Sequence, residues 1–110
     1  MNYEEMSDFE INKCVAEAVG MELSSDHSGA YVGVVWRSIG SRPNYGHANY
    51  CNNPSDAWPI VLANKIWIQP DMIGDGLWHC YDCESEFLSK HKNPLRAAMI
   101  VFLMMQEQDK

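Results

Sequence analysis

The segment from Asn93 to Gln106, NPLRAAMIVFLMMQ, constrains the fold more than any other part of the chain. Asn93 is suited to cap a helix, because its side-chain oxygen accepts a bond from a free first-turn amide. Pro94 suits the next position, where φ is already helical and no amide is needed. Ala97 to Met105 are nine apolar residues in succession. A helix that is apolar all round is enclosed by other elements rather than laid on a surface. The run is less than half of the roughly 20 residues that span a bilayer, so no membrane partner is expected. The rest of the chain must therefore wrap a buried C-terminal helix. At 110 residues it can do so as a single domain, 1–110, burying roughly two-thirds of its unfolded surface. Were the helix left partly bare, a homodimer would cover it.

Further elements follow from local chemistry. Ser7 with Glu10 three residues on is a capping box, and Ile11, Cys14, Val15, Ala18 and Val19 then fall on one helical stripe. Gly20 is a natural stop. Tyr31 to Arg37, YVGVVWR, is rich in β-branched and aromatic residues and reads as a strand. Residues 40–53 form a long irregular stretch, read as a connector, with a contact loop carrying Tyr45, His47 and Tyr50 as the alternative. Asn53-Pro54 opens a second helix through Asn64. Pro59 falls in its first turn only if Asp56 is the cap; otherwise it kinks the helix. Lys65 to Gln69 alternates as a strand, with Ile66 and Ile68 on one face and Trp67 on the other, and Pro70 ends it. Asp75-Gly76 marks a turn, with Leu77 to Tyr81 as the hairpin partner. The order helix, strand, helix, strand, strand, helix predicts an α+β fold, a small antiparallel sheet of about three strands packed against helices. The four tryptophans are expected mainly in the core.

Net charge is −7, and it is unevenly spread. Residues 1–26 carry seven acids against Lys13 alone, and residues 71–86 carry Asp71, Asp75, Asp82, Glu84 and Glu86 with no base. Nucleic-acid binders present the opposite sign, since neutralising phosphates supplies most of their affinity; nucleic acid is not expected as a partner. The acidic blocks read first as a solvated surface that keeps the chain soluble, and otherwise as the complement of a protein with a basic surface. Lys90, His91, Lys92 and Arg96 form one basic cluster, read as a solvated entrance to the last helix. The acidic N-terminus does not suit a signal peptide, so a cytoplasmic protein with reduced thiols is expected.

Cys80-Tyr81-Asp82-Cys83 has metal-ligand spacing. A structural zinc needs four ligands, and His47 with Cys51 would complete a set of Cys80, Cys83, Cys51 and His47. The glycine that usually lets a zinc knuckle turn is absent, so unliganded thiols are the expectation and zinc the alternative. Asp82, Glu84 and Glu86 would raise a thiolate pKa, which argues against redox catalysis. The four histidines and many acids permit arbitrary triads, and no nucleophile motif or phosphate loop selects one. An enzyme is not expected.

Three segments together, SDFEIN (Ser7 to Asn12), YCNNPSDAWPI (Tyr50 to Ile60) and NPLRAAMIVFLMMQ, resemble the NinX-like family of small proteins of unknown function encoded by tailed phages and prophages of enteric bacteria. Residues 71–92 carry none of the motifs behind that resemblance. The resemblance implies a phage-encoded accessory protein in the cytoplasm of an infected host, and it brings no catalytic residue or cofactor. The expectation is a non-enzymatic module that binds a host or phage protein, with inhibition of a host defence or nucleic-acid-processing system through acidic surfaces as a special case. Its contact candidates are Tyr45, His47, Tyr50, Asp71, Asp75, Asp82, Glu84 and Glu86. A zinc-binding module using Cys80 and Cys83 is the alternative.

Overall fold

Caps set the helix limits. The computed structural model describes residues 2–25, 31–36, 44–46, 48–70, 74–84 and 86–108. After a 3-10 turn at Tyr3–Glu5, helix α1 runs Asp8–Ala18. Its capping box is complete: the Glu10 amide donates to Ser7 Oγ at 3.1 Å, and the Ser7 amide to Glu10 Oε1 at 3.3 Å. The helix closes in a Schellman turn, with Met21 N–H on Ala16 O at 2.9 Å and Gly20 N–H on Glu17 O at 3.1 Å. That turn needs a left-handed residue, and Gly20 supplies it at φ +81°.

Helix α2 runs Pro54–Asn64 with Asn53 as its cap, so Pro59 lies in the helix interior. Pro59 has no amide to bond the Ser55 carbonyl, but both residues are exposed and water can take over. The helix stays continuous. Lys65 ends it at φ 54°, a left-handed position that glycine usually fills. Helix α3 runs Pro94–Gln108, with Asn93 Oδ1 accepting from Leu95 N–H at 3.0 Å and Arg96 N–H at 3.3 Å. As its sequence predicts, Ala97 to Leu103 are all buried. It packs against α1, α2 and the strands of a sheet described next.

The fold is α+β, with more strands than the sequence suggests. Strand β1 (Glu22–Ser25), β2 (Tyr31–Trp36) and β3 (Asn44–Gly46) make one antiparallel sheet in that order. Strands β4 (Trp67–Gln69), β5 (Trp78–Tyr81) and β6 (Leu88–His91) make a second. The expected strand at 31–37 therefore belongs to a different sheet from the 67–81 hairpin. Strands β1, β3 and β6 escape sequence reading because they are short, and ELSS, NYG and LSKH lack apolar alternation. Strand β4 starts later than Lys65 because Ile66 N–H still bonds back to Val61 O at 3.1 Å. Its faces are as predicted, Ile66 buried and Trp67 exposed. The Asp75-Gly76 turn is also present, with Gly76 at φ +73° and Leu77 N–H donating to Asp75 Oδ1 at 3.0 Å.

Helix α1 touches β1, β2 and α3, while α3 touches β4, β5 and β6. Ile11, Val15, Met99, Ile100 and Val101 fill the interior between them. Among the described residues no helix is long and apolar enough to cross a membrane.

A candidate interaction surface

The three segments behind the family resemblance meet at one polar junction. Arg96, in the first turn of α3, is only 5% exposed. Its Nη1 donates to Asp8 Oδ1 at 2.6 Å, and its Nη2 to Met6 O at 2.6 Å and Tyr3 O at 3.1 Å. Among the described residues its Nε has no hydrogen-bond partner. Nearby, Asn12 Oδ1 accepts from Cys51 N–H at 3.0 Å, and Asn93 Nδ2 donates to Cys51 O at 2.6 Å. Asn52 Nδ2 donates to Asp8 Oδ2 at 3.2 Å. Burial opposes ionisation of Asp8, but the bonds from Arg96 and Asn52 and the Arg96 charge outweigh it and hold the carboxyl below its ordinary value. This ties the start of the chain to the loop before α2 and to the cap of α3. Arg96 is thus a buried tie rather than part of a solvated basic cluster. Its partner stands 88 positions away, beyond the reach of local sequence reading.

Three of the four candidate metal ligands, Cys51, Cys80 and Cys83, form no ligand cluster among the described residues. Cys80 is fully buried on β5 and donates to Pro94 O at 3.4 Å. Cys51 is fully buried beside α1, its Sγ 3.9 Å from Asp8 O. Burial pushes both thiols up to about 12, aided at Cys51 by the Asp8 charge, so neither is a ready thiolate. Cys83 is exposed in the β5–β6 turn. His47 lies outside the described residues. Among the described residues, the ligand atoms that do gather are carboxylates: Asp82, Glu84 and Glu86 lie within 4.8 Å of one another.

The contact candidates divide likewise. Tyr50 is 4% exposed and belongs to the core, so its ring is not surface. Tyr45 sits in β3 paired with Val35, its side chain outside the described set, as is Asp71 altogether. Asp82 is buried and locks the β5–β6 turn, accepting from Phe87 N–H at 2.9 Å. Asp75 Oδ2 pairs with His79 Nε2 at 2.9 Å. Glu84 and Glu86 are exposed on that same β5–β6 turn.

What the sequence missed is the face beside those carboxylates. Cys80 points at α3, so alternation turns Tyr81 the other way. Register places Trp67 opposite Tyr81 and Tyr81 opposite Leu88, one row across three strands. Trp67 is 58% exposed and Leu88 49%. The Trp67 and Tyr81 rings stack at 6.2 Å and 11°. A neighbouring row holds Gln69, His79 and Lys90, tied to the first by Tyr81 Oη donating to Gln69 Oε1 at 3.2 Å. Trp58 and Trp78 are exposed as well, so the expected tryptophan core is not found at any of these three. The Trp36 side chain is outside the described set. The clue available in sequence was the polar company of these tryptophans, WIQP and LWHC.

No curated protein matches the chain. The family model described as Bacteriophage P22, NinX matches residues 2–106, a span that takes in the three motif segments and residues 71–92 alike. The chain therefore belongs to the NinX family of bacteriophage proteins.

Proposed function

We propose that this phage protein is a non-enzymatic binding module that engages a host or phage protein in the cytoplasm of the infected cell. The observation that carries the reading is the Trp67–Tyr81–Leu88 row, exposed at Trp67 and Leu88, which adjoins the β5–β6 turn carrying exposed Glu84 and Glu86. Exposed aromatic side chains on a rigid sheet are the usual anchors of protein interfaces. Carboxylates at their edge select a partner that carries lysine or arginine around an apolar centre. The same sign discourages single-stranded nucleic acid, which otherwise favours aromatic sheet faces. Inhibition of a defence or nucleic-acid-processing protein is a special case, since such proteins expose basic surfaces.

The test is affinity purification with mass spectrometry during phage growth. It is followed by Kd measurement on the purified partner with Trp67→Ala and with Glu84→Gln/Glu86→Gln. Each variant weakens binding about tenfold or more, and the second also flattens its salt dependence. A partner bound equally well by the wild type and both variants would refute this surface. Recovery of no reproducible partner would refute the binding role.

A further inference from the structure

We propose that a cleft of about 360 Å³ between the last turns of α1 and α3 binds an amphipathic cation, an alkylguanidinium or alkylammonium head on a short apolar stem. This goes beyond the sheet-face reading and stands on different residues. The cleft is lined by Tyr3, Cys14, Ala18 and Leu103, with Glu17, Gln106 and Glu107 around them. The apolar members suit methylene groups. Both carboxylates come from helix C-terminal turns, Glu17 from α1 and Glu107 from α3, and neither of these last turns holds a basic residue.

That placement is electrostatically unfavourable for the free protein. A helix C-terminus presents roughly half a negative charge, which cations relieve and carboxylates aggravate. Here Glu17 and Glu107, each in the last turn of its helix, line one concave space, which focuses negative potential into it. Lys13 offsets this only weakly, its Nζ 4.0 Å from Glu17 Oε1 in an exposed i,i+4 pair. The other polar groups lining the cleft add no charge. Burial raises the Tyr3 phenol, helped by its bond to Glu107 and the Glu107 charge. Burial also raises the Cys14 thiol, with Glu17 contributing. Both stay protonated at neutral pH. A bound cation with an aliphatic stem would neutralise the acids, complement both helix ends and cover the apolar lining together.

The same head group can arrive on a free small molecule or on an arginine or lysine of a partner protein. The experiment is an NMR titration of the intact chain with butylguanidinium, with an arginine residue capped at both ends, and with the uncharged citrulline analogue of that capped residue. Butylguanidinium is expected to saturate with a Kd on the order of 1–10 mM. Shifts should centre on Tyr3, Ala18, Leu103 and Gln106. Tighter binding of butylguanidinium than of capped arginine assigns the site to a free small cation. Equal or tighter binding of capped arginine assigns it to a protein side chain. Glu17→Gln/Glu107→Gln should weaken the cation at least fivefold and raise the melting temperature of the free protein. Three results would each overturn the proposal: no saturable shift with either cation, equal binding of the citrulline analogue, or unchanged affinity in a folded double variant.

Discussion

Arg96→Ala should unfold this protein far more readily than its place in a basic-looking segment suggests. The Arg96 side chain is 7% exposed and makes three contacts of 2.6, 2.6 and 3.1 Å. Truncation removes one charge pair and two charge-assisted bonds, each worth about 1.5–3 kcal/mol when intact. It also strands the Met6 carbonyl, while Tyr3 O keeps the Met6 amide at 3.1 Å. Relief of the guanidinium's own burial, including its unpaired Nε, returns part of that loss. A net cost of about 3 kcal/mol follows, about 12 °C or more in melting temperature for a chain this size. Asp8→Asn should cost less, about 1–2 kcal/mol, because the Asp8 side chain is 44% exposed and water replaces part of what it gives. The assay is urea and thermal unfolding by circular dichroism, with Arg96→Met and the Asp8→Asn/Arg96→Met pair completing a double-mutant cycle. Coupling of about 1 kcal/mol is expected. The pH dependence carries its own sign. Asp8 titrates below its ordinary value near 3.8, so its contribution is complete above that value and disappears as pH falls through the lower folded one. Asp8→Asn should flatten that part of the acid limb. An Arg96→Ala protein within 0.5 kcal/mol of wild type would refute the buried tie.

Other outcomes follow from single features. At mildly alkaline pH a thiol reagent should label Cys83 in the native protein while Cys51 and Cys80 react only on unfolding; labelling of Cys80 at the Cys83 rate would contradict its burial against α3. Lys65→Gly should stabilise by about 1 kcal/mol, since it removes the left-handed strain at the end of α2; a loss in urea midpoint would mean that the lysine stem packs usefully there. Ser7→Ala should cost about 1 kcal/mol through the lost cap, read in the same unfolding assay, and no measurable change would contradict the capping box.

Legibility in the sequence tracked the range of the interactions. The Ser7–Glu10 box, the Gly20 stop and the Asn93-Pro94 start are all set within a few residues, and each was readable. So was the burial of α3, because nine apolar residues admit no alternative. The two-sheet arrangement was not, because β1, β3 and β6 are only three or four residues long and their own side chains are largely polar. Arg96 misled because its partner lies 88 positions away. Its neighbours Lys90 and Lys92 are exposed, and only the fold brings Asp8 to it. The interaction surface was half visible: Glu84 and Glu86 stood out as charges, whereas the aromatic row exists only once register sets Trp67, Tyr81 and Leu88 side by side.

The central claim, that the chain works by docking a protein on the outer face of β4–β6, is tested most directly by site-specific photo-crosslinking during infection. A photoreactive residue at Leu88, with one at exposed Ser55 on α2 as control, should give one discrete adduct from position 88 alone. Trp67→Ala should abolish that adduct. Adducts of equal yield from both positions, or one from position 88 that survives Trp67→Ala, would contradict the account.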